Sequence, residues 1–285
     1  MLMQRVVTAV VLLLVLLGAL MAPSAWPLII LLLVAAGAAL WEWLRLSLAP
    51  AWRPAAIWVA LFTSAVMLWL IWTWTPPTAA QPAVAQLVHP WLMPFVAVCW
   101  AVLALPQVIQ GHTAEPRYPF LMSAFGVLAV VAAWAALVTL FVEFGAWCLV
   151  SMMALIWFAD IAAYFTGRAL GRRKLAPKVS PGKTWEGAVG GIIAAAIWTT
   201  ATSAVPGSFG AELARHWSLP VVFLLACGLA AISIVGDLFE SLLKRRAGVK
   251  DSSRLLPGHG GVYDRIDALL PVAPVALLLT GTVFQ

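Results

Sequence analysis

Charge is what this chain has least of. Only 28 of its 285 residues are Lys, Arg, Asp or Glu, or 10%, against roughly 25% in an ordinary soluble domain. With 64% hydrophobic residues and a mean hydropathy of +0.99, that scarcity excludes a soluble globular fold and implies an all-α bundle of transmembrane helices. Cysteine is sparse as well. Cys99, Cys148 and Cys227 lie in apolar segments at no metal-like spacing, which reads as small buried hydrophobes and argues against a zinc site or a disulfide framework. No internal repeat is visible, which weakens an inverted-repeat transporter reading. No nucleic-acid motif accompanies the net charge of +6, so nucleic acid is not an expected partner. Basic loops lying against anionic lipid headgroups account for the charge.

What the chain does have is long apolar runs. Crossing a hydrocarbon core of about 30 Å takes about 20 residues, and runs of that order at 6–22, 27–48, 54–74, 91–110, 119–141, 145–166, 187–205, 219–240 and 266–284 predict nine spans. Basic residues then orient the bundle. With the N-terminus cytoplasmic, sixteen of the seventeen Lys and Arg share the inner side and only Arg215 falls outside. A run following Arg5 also resembles a secretory signal. It is longer than a usual signal core, and an odd number of spans starting inside fits every later loop, so the first span is read as retained. The expected location is the inner (cytoplasmic) membrane, multi-pass.

Chemistry is unevenly spread. Residues 1–150, five spans and the start of a sixth, carry Glu42, Glu115 and Glu143 as their only acids. Trp41, Trp43, Trp52, Trp72, Trp74 and Trp91 stand near span ends, as interfacial anchors do, and 75–90 has no charge and reads as an external loop. Residues 151–285 form the expected catalytic part. There, segments 160–186 and 237–267 hold nineteen of the charges and seven of the eleven carboxylates. An unpaired ion in lipid costs at least a few kcal/mol, so both segments must face water or protein.

Asp237, Glu240, Ser241 and Lys244 recur at helical spacing and form one polar stripe. Asp264 and Asp267 open the next span on the same side, so carboxylates from two helix ends converge at the membrane surface, as a hard cation with oxygen ligands requires. Ion pairing with Arg245, Arg246 and Arg265 is the plainer alternative. Between these acids, Pro257-Gly258-His259-Gly260-Gly261 offers either an anion nest or a tight re-entrant turn. In the other segment, Asp160, Tyr164 and Arg168 share a helix face. Gly182-Lys183-Thr184 invites a P-loop reading, but Pro177 stands where the first glycine belongs and no strand is expected before it. What remains is a basic loop whose Lys178, Ser180, Lys183 and Thr184 suit phosphates. Gly187 and Gly191 suit close helix packing.

The run from Ser241 to Asp251 and the following Leu256-Pro257-Gly258-His259-Gly260-Gly261-Val262-Tyr263-Asp264-Arg265-Ile266-Asp267 resemble the signature of the phosphatidate cytidylyltransferase, or CDP-diacylglycerol synthase, family. The stretches from Asp160 to Arg168 and from Ser180 to Gly187 are similar to its second cytoplasmic loop, with Gly182 where a second lysine is frequent. The resemblance implies transfer of CMP from CTP to phosphatidic acid with Mg²⁺, and leaves room for a second cation. It implies Asp237 and Asp264 as principal metal ligands, acting with Lys183, and Asp160 and Asp267 as further ones. Ser180, Lys178 and Arg265 are the implied phosphate contacts, and Thr184, Lys244, Arg245, His259 and Gly260 complete the expected substrate set. Membrane lipids are expected partners and a homodimer is left open. A prenol-lipid cytidylyltransferase or kinase and a secondary transporter are the competing readings.

Overall fold

The computed structural model of the chain describes residues 2–74, 84–114 and 118–281. Glu115, Arg117, most of the expected external loop at 75–90 and the end of the ninth expected span lie outside them. The side chains of Arg5 and Trp74 are likewise not described.

The apolar runs fold as helices, as lipid demands when every backbone polar group must be satisfied internally. They are α1 (Leu2–Leu20), α2 (Trp26–Ser47), α3 (Ala55–Trp74), α4 (Val84–Cys99), α5 (Leu105–Gln110), α6 (Pro119–Leu170), α7 (Trp185–Thr202), α8 (Phe209–His216), α9 (Leu219–Arg246), α10 (Tyr263–Ile266) and α11 (Leu269–Leu279). A five-residue π-helical stretch, Trp100–Ala104, joins α4 to α5. It ends two residues before Pro106, whose missing N–H breaks the regular ladder.

Among the described residues, five helices are long and apolar enough to cross a membrane: Trp26–Ser47, Ala55–Trp72, His89–Gln110, Pro119–Leu170 and Leu219–Arg246. Nine spans were expected; the runs at 27–48, 54–74, 91–110 and 219–240 correspond to four of these helices, and the others differ in two ways. First, the runs at 119–141 and 145–166 form one 52-residue helix broken at Gly145 (φ 85°, ψ 176°), a backbone setting open to glycine. Second, the runs at 6–22, 187–205 and 266–284 appear as shorter or less apolar helices. The physical reasons differ. Helix α7 is written in Gly, Ala and Thr and packs on α6, where a Cβ at Gly191 would stand 2.6 Å from the Ala159 carbonyl and one at Gly187 2.8 Å from that of Ala163. Close helix packing is thus what both glycines serve. Helix α11 carries Pro271 and Pro274 and is buried along Val272, Ala273, Ala276 and Leu277.

An all-helical chain was expected, but the basic segment folds as a small antiparallel hairpin of β1 (Lys174–Ala176) and β2 (Ser180–Thr184). The core ends in an aromatic cluster. Trp43 sits 5.2–6.1 Å, centroid to centroid, from Trp100, Phe125, Phe239 and Tyr263, and its indole N–H donates to the Met122 carbonyl at 3.0 Å. It is therefore a core residue, not the interfacial anchor its position near a span end suggested. Trp52, Trp72 and Trp91 are exposed as anchors would be.

Candidate active site

The hairpin aims one lysine. Lys174 pairs across from Thr184 and Ala176 from Ser180, and Thr184 then caps α7 by accepting the Gly187 N–H at 3.1 Å. Glu186 accepts the N–H groups of Arg172 and Arg173 at 3.0 and 3.2 Å, and these bonds, that from Arg172 foremost, hold its carboxyl below the usual range. With both ends fixed, β2 carries Lys183 to α9, where its Nζ lies 2.5 Å from Asp237 Oδ2.

Helix α9 presents the expected stripe, and α10 delivers its acids to the same place. Asp237, Glu240 and Asp267 each offer an oxygen within 4.8 Å of the others. Like charges this close oppose one another unless a cation neutralises them, and three hard oxygens suit a hard divalent cation. Lys244 lies at the edge, with Nζ 2.6 Å from Glu240 Oε1 and 2.9 Å from Asp264 Oδ1. Asp160 of α6 joins Lys183, Thr184 and Asp237 in lining a cavity of about 500 Å³, whose walls include Tyr164, Gly167 and Ile234.

Glu240 stands with Asp237 and Asp267, and Asp264, in hydrogen-bonding contact with Glu240, also holds its own loop. It accepts the Ser252 N–H at 3.0 Å and the Gly261 N–H at 2.7 Å. Burial opposes its charge, but hydrogen bonding with Glu240, Gly261 and Lys244 outweighs burial and holds the carboxyl well below the usual carboxylate range. The arginines, meanwhile, bind backbone carbonyls and an amide, not these acids. Arg245 donates to Val179 O at 3.2 Å, Arg246 to His112 O and the Gln107 side chain, and Arg265 to His259 O at 2.8 Å.

The remaining expected residues are scattered around the cluster. His259, Gly260 and Arg265 line a second cavity of about 640 Å³ together with Lys250, Arg254 and Gln4. Lys178 lies on the far side of the hairpin, along an apolar groove of about 600 Å³ with Ile109, Ile192 and Leu238. Neither Lys178 nor Ser180 lines the Asp237 cavity. The motif glycines make room for carboxylates. Gly260 has φ +85°, and a Cβ there would stand 2.5 Å from Asp264 Oδ2, while one at Gly261 would stand 2.5 Å from Glu42 Oε2. Glu42 is the residue that sequence reasoning passed over. Its buried position beside this loop depends on folding across more than two hundred residues, and a lone acid in an apolar run gives no local signal of that.

Residues 3–283, nearly all of the chain, match the model of the cytidylyltransferase family. Phosphatidate cytidylyltransferase of Pseudomonas aeruginosa is 39% identical over 96% of this chain and 95% of its own length. The enzyme of that name from Haemophilus influenzae is 35% identical over 96% of both chains, and that from Brucella suis 36% over 79% of this chain and 84% of its own. With the match running through the acid cluster and the hairpin lysine, the chain belongs to the cytidylyltransferase family.

Proposed function

We propose that this chain transfers CMP from CTP to phosphatidic acid, giving CDP-diacylglycerol and pyrophosphate. A phosphate oxygen of the lipid bonds to the α-phosphorus of CTP, and the bond from that phosphorus to the bridging oxygen of the β-phosphate breaks, leaving its electron pair on pyrophosphate. The observation that carries the reading is the meeting of Lys183 with Asp237, beside Glu240 and Asp267, at a cavity between α6, α7 and α9. Asp237, Glu240 and Asp267 would hold Mg²⁺, with Asp160, in the same cavity as Asp237, as a further carboxylate and Asp264 beside Glu240. A bound divalent ion supplies neutralisation of phosphate charge. Lys183 and Lys244 place ammonium groups where the triphosphate must lie, and the backbone of the signature loop positions the acids. All these groups come from one chain, so the reading needs no second copy. A secondary transporter would place its acids near the bilayer midplane, whereas these gather where α9 runs on into Lys244, Arg245 and Arg246. Incorporation of radiolabelled CTP by purified protein, offered phosphatidic acid or a prenyl phosphate, tests the substrate; label in the prenyl lipid alone would overturn it.

Lys183→Ala should lower kcat or raise the KM for CTP about tenfold or more, the scale of a lost charge-assisted contact worth about 1.5–3 kcal/mol. Arg173→Ala, at a residue whose N–H and carbonyl bond Glu186 and Trp185 and whose charge faces Glu186, should do less. Equal kinetics for the two variants would reduce the hairpin's basic residues to determinants of orientation.

The reading also includes nine spans in an inner membrane with the N-terminus and both charged segments in the cytoplasm. Ser208 is buried as the cap of α8, so Ala204, exposed in the same connection, is the better external reporter. In a background without native cysteines, Ala204→Cys should react with an impermeant thiol reagent in intact cells and Pro177→Cys, at the hairpin turn, only after lysis. Labelling of both from the same side would sink the topology.

A further inference from the structure

A set of long-range hydrogen bonds ties the chemically bare N-terminal half to the signature loop. Glu42, five residues before the end of α2, is fully buried. Its Oε1 accepts from Ser253 Oγ at 2.5 Å and the Val262 N–H at 3.0 Å, and its Oε2 accepts from Ser252 Oγ at 2.9 Å and the Tyr263 N–H at 2.6 Å. Four donors on two oxygens match a group that only accepts. They come from both ends of the loop 252–263, whose middle is closed by the Leu256–Gly260 bridge.

We propose that Glu42 is a positioning residue for the reaction: it closes the base of this loop and thereby fixes where α10 delivers Asp264 and Asp267. The argument is geometric. Asp264 holds the same loop from the other side through the N–H groups of Ser252 and Gly261, so residues 252–253 and 261–263 are gripped between two carboxylates. Gly261 sits between them without a Cβ, because one would press on the Glu42 carboxylate and on Ser252 Oγ. Tyr263, whose N–H Glu42 accepts, packs at a tilt against Trp43, the next residue of α2, so polar and aromatic contacts index the same two segments. Asp267 follows Tyr263 by one helical turn, and its oxygen completes the set with Asp237 and Glu240. Displacing Tyr263 therefore displaces Asp267. The inference rests on the reading of the acid cluster as the active site.

Glu42→Gln is the test, since an amide keeps the volume but must turn its NH₂ toward either the Val262 or the Tyr263 N–H, leaving donor against donor. In the purified full-length protein, hydrogen exchange of peptides covering 251–263 should quicken about tenfold or more while α6 and α9 keep their protection. In the same preparation, kcat at saturating CTP and phosphatidic acid should fall about tenfold or more. Ser253→Ala, which removes one donor and spares the carboxylate, should shift both quantities in the same direction by about two- to fivefold. The proposal is overturned if Glu42→Gln leaves loop exchange within twofold of the parent, or loosens the loop without slowing turnover. It is equally overturned if protection is lost throughout α6 and α9 while Ser253→Ala changes nothing, since that outcome makes Glu42 a general stabiliser. Full activity in Asp237→Asn would instead remove the active-site reading itself, and the exchange data would still report on the clamp.

Discussion

Asp237→Asn should reduce CMP transfer by about 10²–10³-fold, the loss seen when one preorganised electrostatic contact is removed from a reacting centre. The side chain is engaged twice, as ion-pair partner of Lys183 at 2.5 Å and as one of three carboxylates within 4.8 Å. An amide keeps its shape but gives up the charge that both contacts use. Folding should survive. The lost pair with Lys183 is a third exposed on the Asp237 side, and neutralising one of three crowded acids relieves repulsion that opposes the apo fold. The variant and the parent should therefore melt within a few degrees of one another without divalent ion. In the parent, added Mg²⁺ should raise the melting temperature by mass action on the folded state, and in the variant that rise should vanish. A parent-like Mg²⁺ shift together with near-normal turnover would remove Asp237 from the metal site.

Asp264→Asn is expected to cost about 10²-fold in turnover for a different reason, and the Mg²⁺ shift separates the two. Its oxygens accept from the Lys244 ammonium and the N–H groups of Ser252 and Gly261, beside the Glu240 carboxyl. Whichever way an asparagine turns, its NH₂ opposes one of these donors, at a cost of about 1.5–3 kcal/mol for a hydrogen bond to a charged group. The damage is to loop geometry, so a substantial Mg²⁺ shift should remain. The pH dependence carries the same signature. Because the folded carboxyl is held below its ordinary range, its contribution is complete above the unfolded-state value and is lost only as pH falls through the lower folded one. Hydrogen exchange of the loop in the parent should hold steady from pH 7 down to about 4 once corrected for intrinsic rates, whereas the variant's loop should be loose throughout. A Mg²⁺ response abolished as fully as in Asp237→Asn would make Asp264 a primary ligand, as the sequence motif implied.

Much of the candidate site was legible because it is local. Spacing along one helix puts Asp237, Glu240 and Lys244 on one face, and that face is where the structure has them. The roles within the site were less legible, because each depends on what lies opposite. Arg245, Arg246 and Arg265 looked like partners for the acids, yet guanidinium groups in this fold find unsatisfied carbonyls closer at hand. Lys178 and Lys183 are alike in sequence, and only the strand pairing that sends one toward α9 and the other toward an apolar groove tells them apart.

The sequence by itself determined that this is a bundle of apolar helices with its chemistry in two charged segments, since hydropathy and helical spacing are properties of neighbours in the chain. It also carried the family resemblance, because the signature is contiguous. Only the tertiary structure decided that Glu240 stands with Asp237 and Asp267, that Asp264 also holds its own loop, and that Glu42 closes that loop from the other half of the protein. Those outcomes turn on which donors meet a buried carboxylate. A chain that buries an acid must bring donors to it from wherever the fold supplies them, and no local pattern records the Ser252, Ser253, Val262 and Tyr263 groups that reach Glu42 across more than two hundred residues.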